Sequence, residues 1–479
     1  MLFNSFSFLV FFPIVTVAYF LLPHRFRWML LLAASCVFYA AFIPVYLLIL
    51  VFTILVDYFA GMAIENAVGA RRRSLLLVSL VANVGTLAVF KYSTFLIENV
   101  GVLGRAMGLD LHLPVLHIVL PIGLSFHTFQ AMSYTIEVYR GHQRAERHLG
   151  LYALYVMFYP QLVAGPIERP QNLLHQFREV HRFDPDRLLS GLRLMIWGMF
   201  KKVVIADRVA LYVSCVYADP RGFHYLNLIV ATLFFSIQIY CDFSGYSDIA
   251  IGAARVMGFD LMINFKRPYF AANIQDFWRR WHVSLSTWFK DYLYVSLGGS
   301  RRGVGRTYFN LAVVFLVSGL WHGANWTFVV WGALHAVFLL VYMVVRGRSA
   351  SEEETAGPVA RLLSTLLTFT AVTFAWIFFR AGSLHDAFDV VAGIVGRHHG
   401  GGFLAVVRDP VTHQEFGPTS MVISLVAVSV MLWMEWRQEP TLRALDRRPI
   451  RDLVFCSGVL STLFLFGVFN HTGFIYFQF

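Results

Sequence analysis

Long apolar stretches, each closed by a short polar connection, recur along the chain from residue 5 to residue 470. They fall near 5–22, 28–42, 44–64, 74–90, 115–137, 149–165, 188–206, 224–256, 308–321, 325–346, 360–380, 385–397, 417–436 and 452–470. A soluble core can hold one or two stretches of this length, but not a series. The pattern therefore predicts an all-α integral membrane protein. At about 1.5 Å of rise per residue, several stretches are too short to cross and are expected to be re-entrant or interfacial, leaving about ten to twelve crossings. Two polar inserts read as loops: 347–357, with Glu352, Glu353 and Glu354, and 396–418, rich in Gly and His. No repeat of fixed period and no soluble appendage is visible, so 1–479 is expected to form a single membrane domain.

Composition agrees with the pattern. Hydrophobic residues make up 58% of the chain and charged residues 14%, against about 45–50% and about 25% in soluble domains. The net charge of +11 raises nucleic acid as a partner, but its basic residues cluster in short connections such as Arg71-Arg72-Arg73, Arg301-Arg302 and Arg447-Arg448. Cytoplasmic loops facing an anionic leaflet carry charge in this way, and nucleic-acid binding is not expected. Placing His24-Arg25-Phe26-Arg27 and Arg71 to Arg73 both inside, with two short spans joined at Phe42-Ile43-Pro44, puts the N-terminus outside. The run from Phe6 to Leu22 lacks a basic leader and a small-residue cleavage site, so it reads as a first span. The four cysteines are too scattered for a disulfide framework. His398-His399 lacks a third ligand at helical spacing, and no metal is expected.

Three constellations carry chemistry. Residues 277–294, placed on one helix, put Trp278, Trp281, His282, Leu285, Phe289 and Tyr292 on one side and Arg279, Arg280, Thr287, Lys290 and Asp291 on the other. That predicts an amphipathic helix at an interface or a protein-lined funnel, with His282 on its aromatic side. His282 is either part of a site or a hydrogen-bonded packing residue. The second constellation, Gly319-Leu320-Trp321-His322-Gly323-Ala324-Asn325-Trp326, joins the apolar runs 311–320 and 327–340. An ionisable group there is costly, which makes His322 a functional candidate, with helix packing as the alternative. Neutral imidazole can accept a proton near physiological pH. Gly323 is expected to leave room for a substrate chain, and Asn325 to orient a carbonyl or the imidazole.

The third cluster places Asp242 and Asp248 inside the apolar stretch 226–257. They are either ion-coupling carboxylates or groups that pin helices through a basic or tyrosyl partner. Asp57, Lys91, His127, Gln130 and Glu137 are further intramembrane polar groups without an assigned role. The prolines and glycine of Val163-Ala164-Gly165-Pro166-Ile167-Glu168-Arg169-Pro170 predict a rigid turn at a membrane boundary. There is no G-x-S-x-G elbow, Walker loop or dinucleotide fingerprint, so a covalent serine or cysteine mechanism has little support.

Ordered motifs from end to end resemble the membrane-bound O-acyltransferase (MBOAT) superfamily. They are Leu120-Pro121-Ile122-Gly123 with Phe129-Gln130, Ala164-Gly165-Pro166, Asp242 to Asp248, Asn264-Phe265-Lys266-Arg267-Pro268-Tyr269, Phe277 to Tyr294, Trp321-His322-Gly323 and Phe474-Ile475-Tyr476-Phe477-Gln478-Phe479. Within the superfamily the match is similar to the bacterial branch that O-acetylates alginate, with teichoic acid D-alanylation as a relative. The resemblance implies a ring of helices around a central tunnel in the bacterial inner membrane, where the basic loops place the N-terminus on the periplasmic side. It implies His322 as the catalytic residue with His282 in the same tunnel; His282 is expected to share the catalysis, and Trp278, Trp281, Trp321, Asn325, Arg279 and Arg280 are expected to bind substrate. No bound cofactor is implied; acetyl-CoA or another acyl thioester, including one on an acyl carrier, is the donor. Membrane lipid surrounds the chain, and a periplasmic SGNH-hydrolase-type acetyltransferase is the implied partner in modifying an exported polysaccharide.

The expected reaction has His322 as general base toward an acceptor hydroxyl and His282 aligning the thioester carbonyl. Its rivals are D-alanyl or other acyl transfer from a carrier protein, a transporter of an acylated intermediate coupled through Asp242 and Asp248, and a non-catalytic scaffold. A transporter would show paired broken-helix repeats, which the sequence lacks.

Overall fold

The computed structural model describes residues 1–109, 121–346, 357–396, 416–437, 449–469 and 473–475. Helix is the only regular secondary structure among them. Seven helices are long and apolar enough to cross a membrane: Pro44–Asn66, Gly69–Ala106, Tyr225–Val256, Val304–His322, Trp326–Val345, Pro358–Arg380 and Pro418–Trp436. Phe6–Leu21 and Leu453–Phe466 are shorter apolar helices. Most expected stretches thus coincide with a helix. The loops 347–357 and 396–418 and the pair His398-His399 lie almost wholly outside the described residues, as does the start of 115–137.

Three stretches differ from expectation. The run 74–90 does not stop at the polar residues that follow it. A π-helical turn, Ala88–Tyr92, carries it into Ser93–Ala106, making a helix of 38 residues. The run 149–165 is shorter than expected, ending as the helix Leu149–Met157. Phe158 turns to φ −51°, ψ 111°, and Pro160 follows, which cannot donate a backbone hydrogen bond. The segment 277–294 is not one helix but Ile274–Arg280, Val283–Trp288 and a π-helical turn, Phe289–Tyr294.

The described chain groups into two compact units, Met1–Gly191 with Ala250–Met262, and Leu192–Ile249 with Ile263–Phe479. In the first, Asp57 is fully buried and its carboxylate accepts from Ser79 Oγ at 2.6 Å and Asn83 Nδ2 at 2.8 Å. Asp57 is therefore a group that pins Leu47–Asn66 to Gly69–Leu87. The 163–170 segment is non-helical up to Arg169. Residues 163–168 are buried, and Glu168 accepts from the Met262 amide at 2.5 Å.

In the second unit, a π-helical turn, Phe200–Ala206, carries Lys201 and Lys202. Lys202 Nζ lies 2.8 Å from Asp207 Oδ1 and 2.7 Å from Asp242 Oδ1, and Lys201 Nζ lies 2.5 Å from Asp248 Oδ2. Both aspartates of the 242–248 cluster are thus spent on lysines. The other oxygen of Asp242 accepts the Ile475 amide at 2.7 Å, tying the C-terminal segment to the same ion pair. Glycine sets the closest helix approach. A Cβ on Gly332 would lie 2.3 Å from the Phe315 carbonyl oxygen, and one on Gly319 would lie 2.3 Å from that of Phe328. Small residues here let Val304–His322 and Trp326–Arg346 meet backbone to backbone.

Two stability outcomes follow from these contacts. Gly332→Leu overpacks the hairpin and should cost about 1–3 kcal/mol, read as a lower Tm in detergent; an unchanged Tm would contradict the packing described. Lys202→Met strands two buried carboxylates and should cost about 3–5 kcal/mol. Retention of the wild-type Tm by that variant would mean that the lysine does not hold the helices together.

Candidate active site

All the expected site residues lie in the second unit, and its geometry starts from the break at His282. His282 has φ 42° and ψ 56°, the left-handed region that a residue with a Cβ adopts only when its surroundings enforce it. Asn264 supplies the enforcement. Its carbonyl oxygen accepts from the Val283 amide at 2.9 Å. Its side-chain oxygen accepts from the Ser284 amide and hydroxyl at 3.3 and 3.0 Å. Asn264 Nδ2 in turn donates to Ser247 Oγ on the Tyr225–Val256 helix at 3.2 Å. The corner is thus anchored to a long helix, and the imidazole is driven inward.

His282 is 1% exposed. Its ring stands edge-on to Phe243 at 4.6 Å between centres and lies 6.2 Å from Trp321. Burial among these rings pushes its pKa from 6.5 down to about 3, because imidazolium would lose its hydration there. His282 is thus a neutral imidazole throughout the physiological range. The broken helix still buries Trp281, Leu285, Phe289 and Tyr292 and leaves Arg279 and Lys290 exposed. The aromatic side was expected correctly even though the single helix was not.

His322 ends the Val304–His322 helix and is also buried. Trp321 at 4.9 Å, Trp331 at 5.0 Å and Phe379 at 5.4 Å surround its ring. Trp321 touches both histidines and so brings the two halves of the expected site together. A cavity of about 530 Å³ lies beside them, lined by Trp278, Arg279, Val283, Leu285, Lys290, Thr307, Leu311, Phe315 and Ser318 among others. That is the size of a small-molecule site. Neither histidine lines it, yet both adjoin its wall. Val283 follows His282 directly. Thr307, Leu311, Phe315 and Ser318 are spaced by three or four residues on one helix face, and His322 takes the next place on that face.

The other expected residues divide. Trp278 and Arg279 line the cavity. Trp281 is buried in a packing cluster with Phe265 at 5.1 Å and Trp376 at 5.1 Å. Arg280 is absent from the lining and forms a 2.9 Å ion pair with Asp276. Asn325 caps the next helix: its side chain accepts from the Thr327 amide at 3.0 Å and donates to the Gly382 carbonyl at 2.9 Å. The space expected beside Gly323 is filled, since a Cβ there would fall 2.1 Å from the Phe328 ring. Among the described residues, no three His, Cys, Asp or Glu side chains gather into a metal site.

Two contributors escaped the sequence reading. Asn264 acts across a break that no local periodicity encodes. His335 is fully buried at the middle of Trp326–Arg346. An ionisable residue inside a membrane span was the signal that would have found it.

A model of the membrane-bound O-acyltransferase family matches residues 140–379, which contain both histidines and the cavity. The chain is 40% identical over 406 residues to the "Probable alginate O-acetylase AlgI" of Azotobacter vinelandii, covering 82% of this chain and 78% of the relative. It is 36% identical over 429 residues to a peptidoglycan O-acetyltransferase of Helicobacter pylori, covering 83% and 80%. A teichoic acid D-alanyltransferase of Bacillus subtilis is 26% identical over 290 residues, covering 57% and 72%. With its spans, its two buried histidines and these relatives, the chain is a multi-pass membrane protein and an O-acyltransferase that belongs to the membrane-bound O-acyltransferase family.

Proposed function

We propose that the whole chain acts as one membrane domain that moves acetyl groups from a cytoplasmic thioester, acetyl-CoA, toward an exported polysaccharide such as alginate. It would reside in the bacterial inner membrane with its N-terminus periplasmic and hand the group on to a periplasmic SGNH-hydrolase-type transferase. The observation that carries this reading is the helix face on which cavity-lining Thr307, Leu311, Phe315 and Ser318 lead to His322. The names of the acetyl-transferring relatives support acetyl as the group.

In this reading the donor arm lies in the cavity with its phosphates at the exposed Arg279 and Lys290. The imidazole of His322 takes the proton from an acceptor hydroxyl as that oxygen attacks the thioester carbonyl. The C–S bond then breaks, and the departing sulfur receives the proton from His322. A neutral His282 donates a hydrogen bond to the carbonyl oxygen as negative charge grows on it. The transporter alternative finds less support, because Asp242 and Asp248 are occupied by Lys202 and Lys201. D-alanyl transfer from a carrier protein is the remaining second chemistry, and the names of more distant relatives support D-alanyl as the group.

The test uses purified protein in nanodiscs with radiolabelled acetyl-CoA, with and without a periplasmic transferase. His322→Ala should lower label transfer by at least about 100-fold at unchanged Tm; undiminished transfer would remove His322 from the chemistry. A pH profile separates the two histidines. Since His282 stays neutral down to about pH 3, lowering the pH from 8 to 5 does not protonate it. His282→Gln should therefore reduce kcat by about 100-fold without moving the acid limb, whereas a displaced limb would show that His282 titrates there.

A further inference from the structure

The imidazole of His335 is fully buried, and neither of its nitrogens has a hydrogen-bond partner among the described residues. In a helix otherwise composed of apolar residues at this depth, that is a cost to stability with no local return. A leucine or phenylalanine would fill the position without it. What surrounds the ring gives it a task. Trp278 stands at 4.9 Å and 81° to it, and Trp331 at 4.9 Å and 69°. These are edge-to-face contacts between the imidazole and each indole, the arrangement aromatic rings favour.

The contacts form a line. Trp278 belongs to the cavity wall. Trp331, one helical turn before His335, contacts two imidazoles, that of His335 and, at 5.0 Å and 85°, that of His322. Trp278 and Trp331 also touch directly at 5.8 Å. From the cavity to His322 there is thus an unbroken series of rings: Trp278, His335, Trp331, His322.

We propose that His335 is a positioning residue for His322: it fixes Trp331, and through it the orientation in which the His322 imidazole meets the acceptor proton. This rests on the acetyl-transfer reading given above. His335 touches no reacting atom, so its loss should appear in kcat and not in the binding of donor. Its polar edge is what matters, so an apolar ring of similar bulk should not replace it.

The experiment compares wild type, His335→Phe and His335→Gln in nanodiscs, measuring kcat, KM for acetyl-CoA and Tm. His335→Phe should lower kcat at least tenfold, leave KM within twofold, and keep or raise Tm, since two buried polar atoms disappear. His335→Gln, which restores an N–H at that depth, should recover part of kcat. A kcat within twofold of wild type in His335→Phe overturns the inference while leaving the acetyl-transfer reading intact. A lowered Tm accompanying the loss, or no recovery in His335→Gln, reduces His335 to packing and also overturns it. A raised KM at constant kcat would make it a donor-binding residue instead. A wild-type protein that transfers no acetyl group from any thioester overturns the underlying reading and takes this inference with it.

Discussion

Hydrocarbon offers no water to a buried amide or charge, so a chain that crosses a membrane repeatedly must match its deep polar groups from within itself. Lys202 shows how much structure that requirement creates. One ammonium holds Asp207 and Asp242, and Asp242 then accepts the amide of Ile475, so a single lysine and its two carboxylates fasten three separated segments of the second unit. The π-helical turn at Phe200–Ala206 places both lysines on it against the Tyr225–Val256 helix. In the first unit Asp57, Ser79 and Asn83 do the same work with neutral partners.

The histidines follow a different rule. His282, His322 and His335 are enclosed by aromatic rings. A carboxylate partner would favour imidazolium, whereas the rings around His282 favour its neutral form. The same unit thus neutralises its structural charges through ion pairs and encloses these histidines in aromatic rings. Asn264 adds the geometric part by holding His282 in a backbone conformation that the residue would not choose alone.

How much of this could be read in the sequence depended on the range of the interaction concerned. Spans such as Trp326–Arg346 and Pro358–Arg380 are legible because the bilayer demands a continuous apolar run. His322 is legible because it interrupts such runs. The continuation of Gly69–Leu87 through Lys91 and Tyr92 is not, since a π-helical turn accommodates the polar residues instead of ending the helix. Nor is the corner at His282: helical periodicity across 277–294 groups the right aromatic residues, but the break is imposed by Asn264, outside that window. Asn325 and Gly323 look like substrate-facing residues in a motif, yet their space and hydrogen bonds are taken by Phe328, Thr327 and Gly382. The relatives add the reaction class, which no spacing rule supplies.

The central claim is that the cavity delivers a thioester carbonyl to a point between His282 and His322. An experimental structure with a non-hydrolysable thioether analogue of acetyl-CoA tests it most directly. The account predicts density for the donor arm along Thr307, Leu311, Phe315 and Ser318, with phosphates near Arg279 and Lys290 and the carbonyl oxygen within hydrogen-bond reach of His282. An analogue bound elsewhere, with the cavity filled by a side chain or lipid and both histidines distant from the carbonyl, would contradict it.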